Sequence, residues 1–172
     1  LSDLAAMGAT PQYVLLAITL PFSDEAWIER FSEGLYSLLN RYGVTLVGGD
    51  TTQGDVLSIT LTAIGSVNPD DALRRDQAIS DDDVWVSGLI GLGAVGLSIQ
   101  EGTLRFSKKD EEDFLLRLHK PNPRVELGEK LAGIANAAID ISDGLVADAW
   151  HVADESDVQI VIDFETIPTH RV

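Results

Sequence analysis

Val44-Thr45-Leu46-Val47-Gly48-Gly49-Asp50-Thr51-Thr52 is an apolar run that stops at two glycines and an aspartate. The run reads as the start of a strand. Gly48 to Thr52 reads as the loop at its end, the place where ligands collect in α/β sheets. Upstream, Ile28, Phe31, Leu35, Leu38, Leu39 and Tyr42 recur at helical spacing. Ser23 is expected to cap that helix, with Asp24 and Glu25 in its first turn and Gly43 at its end. Further upstream, Tyr13 to Leu20 is an apolar run closed by Pro21 and reads as a buried strand, and Ser2 is expected to cap a short helix that Gly8 ends. Downstream, Val56 to Val67 alternates apolar residues with Ser and Thr, the pattern of a half-buried strand. The order is therefore β-α-β-β behind a short leading helix.

Asn68-Pro69-Asp70-Asp71 reads as a turn, and a second part is expected to begin after Arg75. Its expected elements are a strand over Val84 to Ser87 and helices over Gly93 to Glu101, Lys109 to His119 and Arg124 to Ile134. A helix from the Asp140 to Gly144 motif to about Ser156 and a strand over Gln159 to Phe164 follow. The expected pieces are residues 1 to 77 and 78 to 172.

The 172 residues carry a formal charge of −16 and no cysteine. Without cysteine there is no disulfide framework, thiol nucleophile or thiolate metal site. The negative balance opposes nucleic-acid binding, which draws on Lys and Arg to meet phosphate. The longest apolar run, Gly88 to Ile99, is broken by Ser and Gly and falls short of the ~20 residues of a membrane span. No signal peptide is visible, and the chain opens on Leu1 inside a motif, so it reads as a piece of a longer protein. Asp110 to Asp113 suits the start of a helix, where negative charge meets the helix dipole.

Chemistry concentrates where carboxylates adjoin small residues: Ser2-Asp3, Gly48-Gly49-Asp50-Thr51-Thr52 and Asp140-Ile141-Ser142-Asp143-Gly144. Hard cations take oxygen ligands, and Mg²⁺ is held by a few carboxylates together with substrate phosphates. Asp140 and Asp143 are three apart, so a helical turn would put them on one side, and Ser142 could cap the next helix with its backbone N–H groups facing an anion. The alternative at each place is a capping or turn aspartate that binds nothing. Arg74 and Arg75 could reach a phosphate or be a solvated pair. Gly91-Leu92-Gly93-Ala94-Val95-Gly96 matches a dinucleotide pattern but lacks the following strand with its acidic end; close packing of a helix on the strand is the expected role. His119, His151 and His170 are isolated and read as structural or surface residues.

In order, Ser2 to Ala9, Leu20-Pro21, Asp24 to Trp27, Gly48 to Thr52, Ala72 to Arg75, Pro121 to Arg124 and Ile139 to Leu145 resemble thiamine-monophosphate kinase, of the aminoimidazole ribonucleotide synthetase-like superfamily. The resemblance implies an α/β (α+β) architecture in two parts, a mixed sheet covered by helices, with amino-terminal halves paired in a homodimer. It implies ATP- and Mg²⁺-dependent phosphorylation of thiamine monophosphate to thiamine diphosphate in the cytoplasm. Asp3, Asp50, Asp140 and Asp143 would hold several Mg²⁺ ions, while Gly49, Asp50, Arg75 and Ser142 would contact ATP. The family's further metal motif and thiamine-holding residues would lie outside this chain, so weak or no turnover is expected from it alone. The rivals are a superfamily enzyme with another acceptor and a silent Mg-nucleotide-binding or dimerisation piece.

Overall fold

The computed structural model describes residues 1–170; Arg171 and Val172, the end of the second expected piece, lie outside the described residues. The elements are α1 (Ser2–Ala6), β1 (Thr10–Leu20), α2 (Glu25–Arg41), β2 (Thr45–Gln53), β3 (Ser58–Ser66), α3 (Leu92–Gln100), α4 (Lys108–His119), α5 (Val125–Leu131) and α6 (Leu145–Glu155). Short 3-10 turns lie at Pro69–Asp71 and Phe164–Thr166. The chain divides into two compact units. The first holds Leu1, Asp3–Ala72 and Val125–Ile134, so α5 belongs with it; the second holds Ser2, Leu73–Arg124 and the chain from Ala135.

In the first unit the sheet order is β2-β1-β3, parallel between β1 and β2 and antiparallel between β1 and β3. The mixed sheet follows from the connections: α2 carries the chain back for a parallel partner, while the short link from β2 to β3 reverses it. Gly48 to Thr52 is part of β2 and not a loop, because β1 supplies ladder partners as far as Leu20 opposite Gln53. Val47 bulges out where the register shifts, with Val14 opposite Leu46 and Leu15 opposite Gly48.

The α2 cap is Asp24, whose side chain accepts the Trp27 N–H at 3.0 Å; Ser23 lies one residue too early. Likewise Ser2 is inside α1, and the N-cap position falls to Leu1, which offers no side-chain bond. Alternation along β1 sends Val14 to one face, where it joins Leu39 of α2, Val44, Leu46 and Ala63. Each large aliphatic side chain buried there contributes on the order of 1.5–3 kcal/mol relative to exposure. The alternation in β3 is present, but Ile59 and Leu61 stay 39% and 47% exposed. The long helix packs over β2 at the other edge of the sheet, so β3 is less covered than a half-buried strand.

In the second unit α3 packs on α4. A Cβ on Gly96 would stand 2.5 Å from the Phe114 carbonyl oxygen, so this last glycine of the pattern serves helix-on-helix contact and not helix-on-strand contact, while a Cβ on Gly91 or Gly93 would meet nothing within 4 Å. Phe114 is buried between Phe106 and the edge of His170. Ser107 caps α4 by accepting the Asp110 N–H, and Glu111 reaches back to the Phe106 N–H. That arrangement accounts for Glu111 in the acidic run at the helix start, while Asp113 faces Arg117 one turn on at 3.7 Å. The segments Val84 to Ser87 and Gln159 to Phe164 form no strand, and Trp85 is 87% exposed. Their composition favours extended backbone, but a strand also needs a ladder partner, and among the described residues these segments have none.

Candidate functional site

Within the first unit, Asp3 lies in the first turn of α1 with its side chain 90% exposed. Asp50 is exposed on β2, opposite Ala17. The register puts it on the sheet face away from Val14 and Leu46, with Thr52, Thr19, Thr60 and Thr62. The Thr19 and Thr52 hydroxyls hydrogen-bond at 2.9 Å across that face. Gly49 faces the other way, and a Cβ there would stand 1.7 Å from the Leu16 carbonyl oxygen. Close approach of β1 and β2 therefore explains this glycine. Strand pairing holds Asp50 on a rigid, oxygen-rich surface, which suits a hard cation or a solvated phosphate–metal group.

Within the second unit, Arg74 and Arg75 behave differently. The Arg74 guanidinium grips the Asp76 carboxylate with two hydrogen bonds, one of them 2.8 Å from Nε to Oδ1. This pairing holds the Asp76 carboxyl below its ordinary pKa and raises that of Arg74, with the hydrogen bond as the first cause in both. Arg75 is exposed and makes no ion pair among the described residues. Its carbonyl accepts the Ser156 hydroxyl at 2.7 Å, and that hydroxyl accepts the Ala78 N–H at 3.1 Å. The residue after α6 thus pins the arginine segment. Arg74 also bridges Ala137, with the Ala138 N–H on the Arg74 carbonyl, so the arginines run beside the chain that leads to Asp140.

Asp140, Ser142 and Asp143 do not lie on a helical turn. They occupy an irregular bend, and α6 begins only at Leu145 with Gly144 as N-cap and no side-chain cap from Ser142. The backbone N–H groups do face an anion, but it is internal: the Asp148 carboxylate Oδ2 accepts from Ser142, Asp143 and Gly144 at 2.9, 3.2 and 3.1 Å. Asp148 is 3% exposed. Sequence reasoning passed over Asp148, Ser156 and Asp76. The available signal for Asp148 was an acidic residue in the first turn of a helix that follows Ser-Asp-Gly.

Among the described residues no three Asp, Glu or His side chains stand together as a ready-made metal cage. The donors present are carboxylates and hydroxyls, a set that fits Mg²⁺ when phosphate oxygens complete the shell. His151 packs edge-on to Trp150, and His170 packs edge-on to Phe114.

Residues 1–67 match the AIR synthase related protein N-terminal domain, and residues 80–171 match the corresponding C-terminal domain. The chain belongs to the AIR synthase related proteins. Among relatives in this family, the thiamine-monophosphate kinase of Escherichia coli K12 is 46% identical over 169 residues, 98% of this chain and 52% of that protein. A crystal structure of thiamine-monophosphate kinase from Stenotrophomonas maltophilia K279a superposes with a TM-score of 0.92 at 45% identity, covering 98% of this chain and 55% of that one. A solved structure of AaThiL complexed with AMPPCP and TMP gives 0.90 at 33% identity, covering 97% and 54%. The chain spans about half the length of the curated relatives it matches. The AIR synthase-like fold, with its mixed sheet and covering helices, agrees with the architecture that the resemblance implied.

Proposed function

We propose that the protein represented by this chain transfers phosphate from ATP to thiamine monophosphate, giving thiamine diphosphate and ADP. The observation that carries this reading is the likeness, over 97% of the chain, to a structure complexed with AMPPCP and TMP. The 46% identity to a thiamine-monophosphate kinase supports the same acceptor. The chemistry needs no histidine base, because a phosphate acceptor oxygen is already anionic at neutral pH. The difficulty is to bring several negative groups into line, and charge neutralisation with positioning meets it.

Asp3, Asp50, Asp140 and Asp143 are the carboxylates that would hold Mg²⁺, which when bound neutralises phosphate charge. Asp50 presents its carboxylate from a paired strand beside threonine hydroxyls. Gly49, Asp50, Arg75 and Ser142 are proposed to meet ATP. Arg75 is the stronger phosphate ligand of the two arginines, since Arg74 is already engaged by Asp76. The family reading extends to residues 1 to 77 and 78 to 172 as its two parts, to a homodimer and to a cytoplasmic setting. Its substrates are small phosphates, with neither nucleic acid nor membrane involved; no helix among the described residues is long and apolar enough to cross a bilayer.

The test is calorimetric titration of Mg²⁺ with AMPPCP into this chain and into Asp50→Ala, followed by an assay for thiamine diphosphate. Saturable binding that requires Mg²⁺ and is lost in Asp50→Ala supports the reading. Binding that survives the substitution, or ATP turnover with another acceptor and no thiamine diphosphate, overturns it.

A further inference from the structure

The three N–H groups of Ser142, Asp143 and Gly144 converge on one oxygen of a side chain that is 3% exposed. Successive backbone N–H groups aimed at one point form a nest, a concavity that takes anions such as phosphate. Here the nest is filled from within. Asp148 belongs to α6, a helix of eleven residues, and its carboxylate reaches back four to six positions to the turn before the helix. A second observation fixes the same turn. Gly144 has φ 129° and ψ 151°, a region that residues with a Cβ avoid, so the backbone is held in one unusual conformation as its N–H meets Asp148.

We propose that Asp148 is a positioning residue: its buried carboxylate fills the nest of Ser142 to Gly144, fixes the bend that carries Asp140 and Asp143, and keeps metal-free phosphate off the three backbone N–H groups, so that a nucleotide meets this bend through the Ser142 side chain and bound cations. The bend then takes up divalent cations through its side chains and does not take up free anions. This rests on the metal role assigned to Asp140 and Asp143 under the proposed function. A free phosphate would have to displace a carboxylate that already has three donors, and would meet the charges of Asp140 and Asp143 as well. Loss of the Asp148 carboxylate removes the common acceptor of three N–H groups. The bend then loses its fixed shape, and metal affinity falls through residues that themselves remain in place.

The experiment compares the chain with Asp148→Ala and Asp148→Asn by NMR. Amide exchange at residues 142 to 144 reports the bend, Mn²⁺ broadening of the same signals reports the cation, and inorganic phosphate is the anion probe. Exchange at the three amides is expected to quicken about tenfold or more in Asp148→Ala. Mn²⁺ affinity is expected to fall about tenfold, with Asp148→Asn in between because it keeps an acceptor oxygen and loses the charge. Inorganic phosphate is expected to leave the three signals of the unsubstituted chain unmoved. Exchange unchanged in Asp148→Ala, or Mn²⁺ affinity unchanged despite faster exchange, overturns the proposal, as does phosphate binding to the three bend amides in the absence of divalent cation while Asp148 is present. If Asp148→Ala does not fold, Asp148→Asn decides by the same criteria. If the unsubstituted chain shows no Mn²⁺ broadening at this bend, the metal role of Asp140 and Asp143 fails, and the exchange ratio alone then decides whether Asp148 fixes the bend.

Discussion

Gly128 and Ala5 meet backbone to backbone: a Cβ built on Gly128 would stand 1.9 Å from the Ala5 carbonyl oxygen. The contact seats α5 against α1, two short helices far apart in sequence. Replacing a glycine inside a helix with alanine ordinarily gains up to about 1 kcal/mol. At this contact the helices must separate, and overpacking of this kind costs about 1–3 kcal/mol. Gly128→Ala is therefore expected to lower the urea midpoint; a raised midpoint would contradict the contact.

Gly34 and Gly96 make a controlled pair. A Cβ on Gly34, on α2, meets nothing within 4 Å, whereas one on Gly96 would stand 2.5 Å from the Phe114 carbonyl oxygen. Gly34→Ala is expected to stabilise by about 0.5–1 kcal/mol through helix propensity. Gly96→Ala is expected to destabilise, with thermal unfolding moving in opposite directions for the two variants. Equal shifts would show that α3 and α4 can part at little cost.

The cap of α2 separates two neighbouring polar residues. Asp24 accepts the Trp27 N–H at 3.0 Å, and Ser23 lies outside the capping position. Asp24→Ala should cost about 1 kcal/mol. Ser23→Ala, an exposed change away from the cap, should stay within about 0.5 kcal/mol. Denaturant unfolding of both variants distinguishes the assignments, and a larger loss at Ser23 would reverse them.

The Arg74–Asp76 pair sets a pH dependence with a definite sign. The Arg74 hydrogen bond, then its charge, holds the Asp76 carboxyl below its ordinary pKa of 3.8, against some dehydration. A lowered folded-state pKa adds stability that is present above the unfolded-state value and is lost as pH falls through the folded one. The effect on stability is small because the pair is exposed to solvent screening. The direct measurement is a carboxyl ¹³C titration of Asp76. Its midpoint should rise toward the ordinary value in Arg74→Gln, and an unmoved midpoint would remove the pairing as its cause.

The two arginines should also separate in nucleotide binding. Arg75 makes no ion pair among the described residues, while Arg74 is committed to Asp76. Arg75→Ala should weaken Mg-AMPPCP binding several-fold more than Arg74→Ala, read by calorimetry at one ionic strength. Equal losses would point to a general charge effect.

Helices were largely legible because their signals are local. The spacing of Ile28, Phe31, Leu35 and Leu39 marked α2, and Gly43 with φ 65° ends it. The β-α-β-β order of the amino-terminal part and the acidic motifs could be read in the same way, whereas the place of α5 in the first unit could not. The candidate site was legible as a list of residue types and not as an arrangement. Ser142 could have capped α6 by its place in the sequence, yet Gly144 occupies the cap and Asp148 holds the bend.

The sequence by itself determined where helices form, the β-α-β-β order and which carboxylates stand beside small residues, since periodicity, caps and turn residues act within a few positions of one another. Only the tertiary structure decided that Gly48 to Thr52 belongs to a strand, that Val84 to Ser87 and Gln159 to Phe164 do not form strands, and that Asp148 is buried as the acceptor of three amides. The physical reason is that a strand exists through a partner distant in sequence, and a buried charge is tolerated only where folding brings enough donors to meet it.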